Sequence, residues 1–238
     1  MPTFEGFSDD AVKFFRGLRK NNTREWFQPR KEIFDTHIRS VMEDLVGHVN
    51  HELGKFAPLH IAEPKRAIYR IYRDTRFSND KTPYKTHIAA NFPRQGMEKH
   101  SAAGYYFSVS DKEIEIAGGV YMPQPDGLLA VRNHIAEHHA RFDKIVRHKK
   151  LVETLGPLHG ESLTRVPKGF DPGHKAADFI RMKQWMFFKT MDGGALMRTP
   201  ALLKEVAVGF KLVAPLVDFL NEPLAKLAKK TSASEMLY

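Results

Sequence analysis

Apolar residues recur at two different periods along this chain, and the change of period divides it into three stretches. Near the start, Val12, Phe15 and Leu18 fall at helical spacing behind Ser8, Asp9 and Asp10. A hydroxyl and two acids suit a helix N-terminus, so a helix is predicted over 9–20, ended by Asn21-Asn22. Pro29 suits the first turn of a second helix. Phe34, Ile38, Val41, Leu45, Val49 and Leu53 then mark one apolar face as far as Gly54, the pattern of a long amphipathic helix.

The middle stretch loses that period. Ala67 to Tyr72, Thr86 to Phe92, Tyr105 to Ser110 and Glu113 to Tyr121 are rich in Ile, Val, Tyr and Phe and read as strands. Asp111-Lys112 predicts a hairpin between the last two. The connections are too short for helical crossovers, so the sheet is mostly antiparallel. Helical spacing returns after Pro123 and Pro125, through Leu128, Leu129, Arg132 and Ile135 and again at Phe142, Ile145 and Val146. Prolines and glycines make 156–173 a loop, Trp185 to Met191 reads as a further strand, and Pro200 opens a C-terminal helical segment over 199–230 with Pro215 inside it. Helices, then strands, then helices is the pattern of an α+β fold. We expect a mostly antiparallel sheet of about four to six strands from the chain centre, packed by N- and C-terminal helices. No linker-like tract separates two parts, so a single domain over 1–238 is expected.

Composition changes this picture in two ways. The chain has no cysteine among 238 residues, which excludes disulfides, thiolate-bound metal clusters and a catalytic thiol and fits a reducing compartment. Lys and Arg number 37 against 28 Asp and Glu, a formal charge of +9 that favours phosphate-bearing partners. The first ten residues carry no apolar core of a secretory signal, and no run of about 18 apolar residues occurs. A cytoplasmic protein without a membrane partner is the expectation; the oligomeric state is not legible.

The charge is concentrated. Lys65 to Lys85 holds seven basic residues against Asp74 and Asp80, more than half of the chain's surplus. Arginine presents a planar fork of donors that suits phosphate or carboxylate oxygens, lysine adds a point charge, and Tyr84 adds a hydroxyl and a ring. An anion site built from Arg70, Arg73, Arg76, Lys81, Tyr84 and Lys85 is the leading expectation. Its ligand would be a phosphorylated small molecule or a nucleotide, and phosphoester chemistry is the natural class of any reaction there. Two other readings stand beside it. Tyr69, Tyr72 and Tyr84 interleave with the charges, as in a nucleic-acid-binding surface. Alternatively, Arg73–Asp74 or Arg76–Asp80 pairs simply brace a loop, in a structural or partner-binding module without catalysis. Phe77, Pro83 and Tyr84 read as anchors of that loop to the core.

The run Arg70 to Lys85, RIYRDTRFSNDKTPYK, resembles the signature of the uncharacterised bacterial and fungal family catalogued as domain of unknown function 2461. The resemblance extends to the opening FEGFS, Trp26-Phe27, Gly118-Gly119, Tyr121 and Pro123, Arg132, and Pro167-Lys168-Gly169-Phe170 before Asp171 and His174. It thus covers roughly residues 4–190. It implies a compact α+β protein, brings Arg132 into the candidate site, and names no reaction.

Other chemistry is sparse. Gly118-Gly119 lacks phosphate-loop spacing and reads as a bulge or a close backbone approach. His87 reads as a strand histidine with general-base chemistry as its alternative. His134 to His138 spells H-x-x-E-H, which on a helix puts His134 and His138 on one face at metal-ligand spacing. The sequence names no third ligand, Glu205 being merely one choice, so no metal or other cofactor is expected.

Overall fold

The structure, a computed structural model, describes residues 3–97 and 101–235. The ends of the 1–238 span, 1–2 and 236–238, lie outside the described residues. The fold is α+β. Strands β1 (Ile88–Phe92), β2 (Gly104–Val109), β3 (Glu113–Val120) and β4 (Trp185–Asp192) form one antiparallel sheet in that order. The chain divides into two compact units, one of Met1–Phe92, Tyr106–Ile116 and Thr190–Val208, the other of Pro93–Tyr105, Ala117–Lys189 and Gly209–Tyr238.

In the first unit, α1 (Asp9–Lys20) has acids in its first turn and Arg19 and Lys20 in its last, the charge order the helix dipole favours. It buries Ala11, Val12, Phe14, Phe15 and Leu18. A continuous helical run comes next. It comprises α2 (Arg24–Phe27), a 3-10 turn at Gln28–Arg30, α3 (Lys31–Phe34), a π turn at Asp35–Arg39 and α4 (Ser40–Leu53). The π turn inserts one residue into the helical ladder and rotates α4 relative to α3. This moves the core face: Val41, expected inside, is only half-buried, and Met42 and Val46 join Leu45, Val49 and Leu53 in the core.

Pro64 opens a short helix, α5 (Pro64–Ala67), whose first N–H groups at Lys65 and Arg66 donate to the Glu63 carboxylate. Ala67 to Tyr72 is therefore not a strand. Ile68 bridges Ala90 and Tyr72 bridges Tyr84, but four residues separate these bridges on one side and six on the other. The register slips by two, and no continuous ladder can form. The β2–β3 turn is held by Ser110, whose Oγ accepts from the N–H groups of Lys112 and Glu113. Asp111, buried in that turn, pairs with Arg19 at 2.7 Å. Within this unit α10 (Gly193–Leu196) follows β4.

The second unit holds α6 (Pro125–Glu137), α7 (His139–Val146), α8 (Lys149–Leu155), α9 (Ala177–Ile180) and the later part of α11 (Ala201–Glu235), which runs on through Pro215 and Pro223. Gly118-Gly119 is a close approach. A Cβ on Gly118 would stand 2.3 Å from Val213, and Gly119, at φ 133°, would put one 2.1 Å from the Trp185 carbonyl. Asn221 of α11 donates to and accepts from the Ala103 backbone, so a buried amide pins this helix to the start of β2. Among the described residues no helix is long and apolar enough to cross a membrane.

Candidate functional site

The basic segment is anchored at Tyr84. Its ring is 1% exposed and stacks on Phe27 at 4.1 Å, with 16° between the planes. The Asn22 side chain accepts from the Tyr84 N–H at 3.0 Å and donates to its carbonyl at 2.9 Å, an amide used as a substitute backbone. Two further bonds close the base of the loop: Arg73 N–H to the Pro83 carbonyl and Lys85 N–H to the Ile71 carbonyl, at 2.9 and 2.8 Å. Phe77, by contrast, stands 96% exposed at the far end. Of the aromatic residues expected to anchor this loop, Tyr84 does so and Phe77 does not.

The five predicted cations and one tyrosine of this segment do not all gather round one hollow. Arg76 grips the Asp74 carboxylate with Nε and Nη2 at 3.0 and 2.7 Å. Arg73 donates to Asp80 and to the Thr82 hydroxyl. The pairing is thus crossed relative to the expected Arg73–Asp74 and Arg76–Asp80. Both carboxylates are held down at about 2. For Asp74 the main cause is the Arg76 guanidinium; for Asp80 it is the Thr82 N–H, followed by Arg73. Lys81 Nζ donates to the Thr75 carbonyl at 2.8 Å, and Lys85 Nζ to the Arg70 carbonyl at 3.1 Å while lying over the Tyr69 ring.

Arg70 is different. It lines a cleft of about 300 Å³ between the helical run and the segment 65–72. Phe27, Phe34, Tyr69 and Tyr72 supply its aromatic surface, and Lys31, Arg39, Lys65 and Arg70 its positive charge. Two acids also line it. Asp35 pairs with Lys31 at 2.5 Å, and Arg39 lies 3.5 Å from Glu43 and 4.0 Å from Asp35. Lys65 and Arg70 make no side-chain hydrogen bond or ion pair with a described residue, although Asp74 feels the field of Arg70. Tyr72, 45% exposed, also lines a neighbouring hollow of about 360 Å³ with Arg24, Arg73 and Tyr84. The π turn places Asp35 and Arg39 at the cleft, so the same insertion that moves the core face also shapes this wall.

The family described as conserved hypothetical protein (DUF2461) matches residues 10–219. The chain belongs to the DUF2461 family. The match begins inside α1, after the opening FEGFS of the resemblance, and runs into α11, beyond residue 190 where the resemblance ended. No curated protein matches this DUF2461 chain.

Arg132, which the resemblance brought forward, lies in the second unit. It is 8% exposed and donates through Nη2 to the Met182 carbonyl at 3.0 Å, while its Nε finds no partner among the described residues and burial lowers its pKa. Another hollow of this DUF2461 chain, about 530 Å³, is also in that unit. It is walled by Val146, Val152, Leu158 and Phe179, and its rim charges Arg147 and Lys149 are tied to Asp143 and Glu153. His87 is half-buried, and burial with the nearby Lys85 lowers its pKa.

Sequence reasoning missed Lys31, Asp35, Arg39 and Glu43. Their signal was present: they recur every four residues with alternating sign, a charged ladder beside the apolar face.

Proposed function

We propose that this cleft binds a phosphate-bearing small molecule, a mononucleotide or a molecule of similar size, in a protein working in the cytoplasm. The observation that carries the reading is the pair Lys65 and Arg70. They line a concave, aromatic-walled cleft without an acid of their own, while the cations further along the segment are spent on Asp74, Asp80 and backbone carbonyls. In this reading Arg70 forks two phosphate oxygens and Lys65 neutralises charge. Arg39, loosely held at 3.5 Å by Glu43, turns towards the ligand. Tyr69 and Tyr72 offer ring faces to a base, and Asp35 and Glu43 accept from sugar hydroxyls. A cleft of this size is at the small end for organic ligands, which favours one ring and one or two phosphates over a dinucleotide. Phosphoester chemistry would need a base, and Asp35 and Glu43 are the carboxylates placed to serve.

Calorimetric titration with a panel of mononucleotides and with inorganic phosphate tests this. A charge-assisted hydrogen bond is worth about 1.5–3 kcal/mol, so the double variant Lys65→Ala/Arg70→Ala should bind at least about 100-fold more weakly. Arg76→Ala should bind as the wild type does. Equal binding by wild type and double variant overturns the reading.

One observation favours a second reading, nucleic-acid binding. Phe77 is almost fully exposed, with Arg76 5.7 Å from its ring and Lys81 nearby in sequence. Exposed ion pairs such as Arg76–Asp74 are weak and can be exchanged for phosphate. This reading expects single-stranded oligonucleotides to bind with a steep salt dependence and Phe77→Ala to weaken them by about 1–3 kcal/mol. A variant that binds oligonucleotides unchanged removes it.

A further inference from the structure

The H-x-x-E-H string of the second unit has a geometry that the sequence could not supply. α6 ends at Glu137, and His138 turns the chain into α7 with φ −116° and ψ 34°. The rings of His134 and His138 face each other edge-on at 4.5 Å. One donor atom from each of His134, Glu137 and His138 lies within 4.8 Å of the other two. α11 brings Glu222, not Glu205, to this place, with its Oε2 3.1 Å from His134 Nε2.

His134 supplies a second, independent observation. It is 8% exposed, packed 4.5 Å from the Phe219 ring, and its Nε2 is buried without a hydrogen-bond partner among the described residues. Glu222 Oε2, at 3.1 Å, forms an ion pair with it only when the ring is protonated. A buried ring nitrogen left in this state costs free energy unless something else takes its lone pair. Two donors that each bind a tetrahedral zinc ion at ~2.0–2.1 Å stand about 3.3 Å apart. The His134–Glu222 separation is close to that spacing.

We propose that His134, Glu137 and His138 bind a divalent transition metal of the zinc class, with Glu222 beside His134 as a fourth donor. Imidazole nitrogens with carboxylate oxygens are the donor set that such ions take. Arg141 grips both oxygens of Glu222 at 2.9 and 2.5 Å and fixes its orientation, as groups behind a ligand do at metal centres. The remaining charges nearby are Asp218, which acts on Arg141 and Glu222, and Arg94, which acts on Asp218. Three acids against two arginines leave room for a dication. The proposal is independent of the cleft in the first unit.

The full chain, stripped with chelator, is titrated with Zn²⁺ by calorimetry and with Co²⁺ by visible absorption. One ion per chain is expected, with the intense d–d bands of a tetrahedral Co²⁺ centre. His138 is largely exposed, so His138→Ala should fold normally and bind at least about tenfold more weakly without those bands. His51→Ala, a change to an exposed histidine in α4, should bind as the wild type does. Melting curves confirm that each variant folds. Lack of stoichiometric binding by the wild type, or equal binding by His138→Ala, overturns the proposal.

Discussion

The two ends of the basic segment spend their charges differently. Between residues 73 and 82 each arginine has a carboxylate from the same loop: Arg76 has Asp74 two residues away, and Arg73 has Asp80 seven away. Near Lys65 and Arg70 the neighbouring acids are already taken, Glu63 by the backbone N–H groups of Lys65 and Arg66 and Asp74 by Arg76, and α5 and the broken register turn this stretch to the cleft instead. Charge density along a chain therefore does not measure charge available to a ligand. Acids a few residues away are the first to claim it, because a loop brings them together at little entropic cost.

The aromatic residues of the same segment offer the sharpest way to break this contrast. Tyr84 is buried and stacked on Phe27, so Tyr84→Ala should cost about 3–5 kcal/mol in urea unfolding. Phe77→Ala should stay within about 0.5 kcal/mol of the wild type, because its ring leaves water nowhere. Comparable losses at both positions would mean that the loop tip is packed and that the two ends are not distinct.

Arg73→Ala asks a smaller question. Its partner Asp80 is exposed, so the expected loss is at most about 1 kcal/mol by the same measurement. A loss of about 3 kcal/mol would make the Arg73–Asp80–Thr82 cluster a structural lock and favour the bracing role over a ligand-binding one.

Much of this was legible in the sequence, and the exceptions have physical causes. α1, the Ser110–Lys112 turn and β4 come from short-range signals: capping acids, a turn between alternating runs and a block of aromatic residues. Ala67 to Tyr72 has the composition of a strand. It lacks a partner in constant register, and the two-residue slip is a property of the pair of segments. The π turn was likewise hidden, since Phe34, Ile38 and Val41 continue a plausible helical face and only packing moves Val41 outward. At the candidate sites, local chemistry was readable and long-range partners were not. The acids within the basic segment were visible, but which arginine each would take was not. The i, i+4 histidines were visible, but Glu222 comes 84 positions after His138 and only the fold of α11 brings it there.

The smallest expected effect concerns acid pH and tests whether the loop is ordered by its own carboxylates. Asp74 and Asp80 titrate at about 2 in the folded chain, below their ordinary value of 3.8. Their contribution to loop order is therefore complete above about pH 3.8 and is lost as pH falls through about 2. Carboxyl carbon shifts followed by NMR should give both midpoints near 2 in the wild type. In Arg76→Ala the Asp74 midpoint should return towards 3.8, because the guanidinium is its main stabiliser. In Arg73→Ala the Asp80 midpoint should rise less, because the Thr82 N–H still binds the carboxylate. Ordinary midpoints for both acids in the wild type would mean that the loop arginines are not committed to them in solution. The cations between 73 and 82 would then be as available to a phosphate as Lys65 and Arg70, and the contrast between the two ends of the segment would disappear.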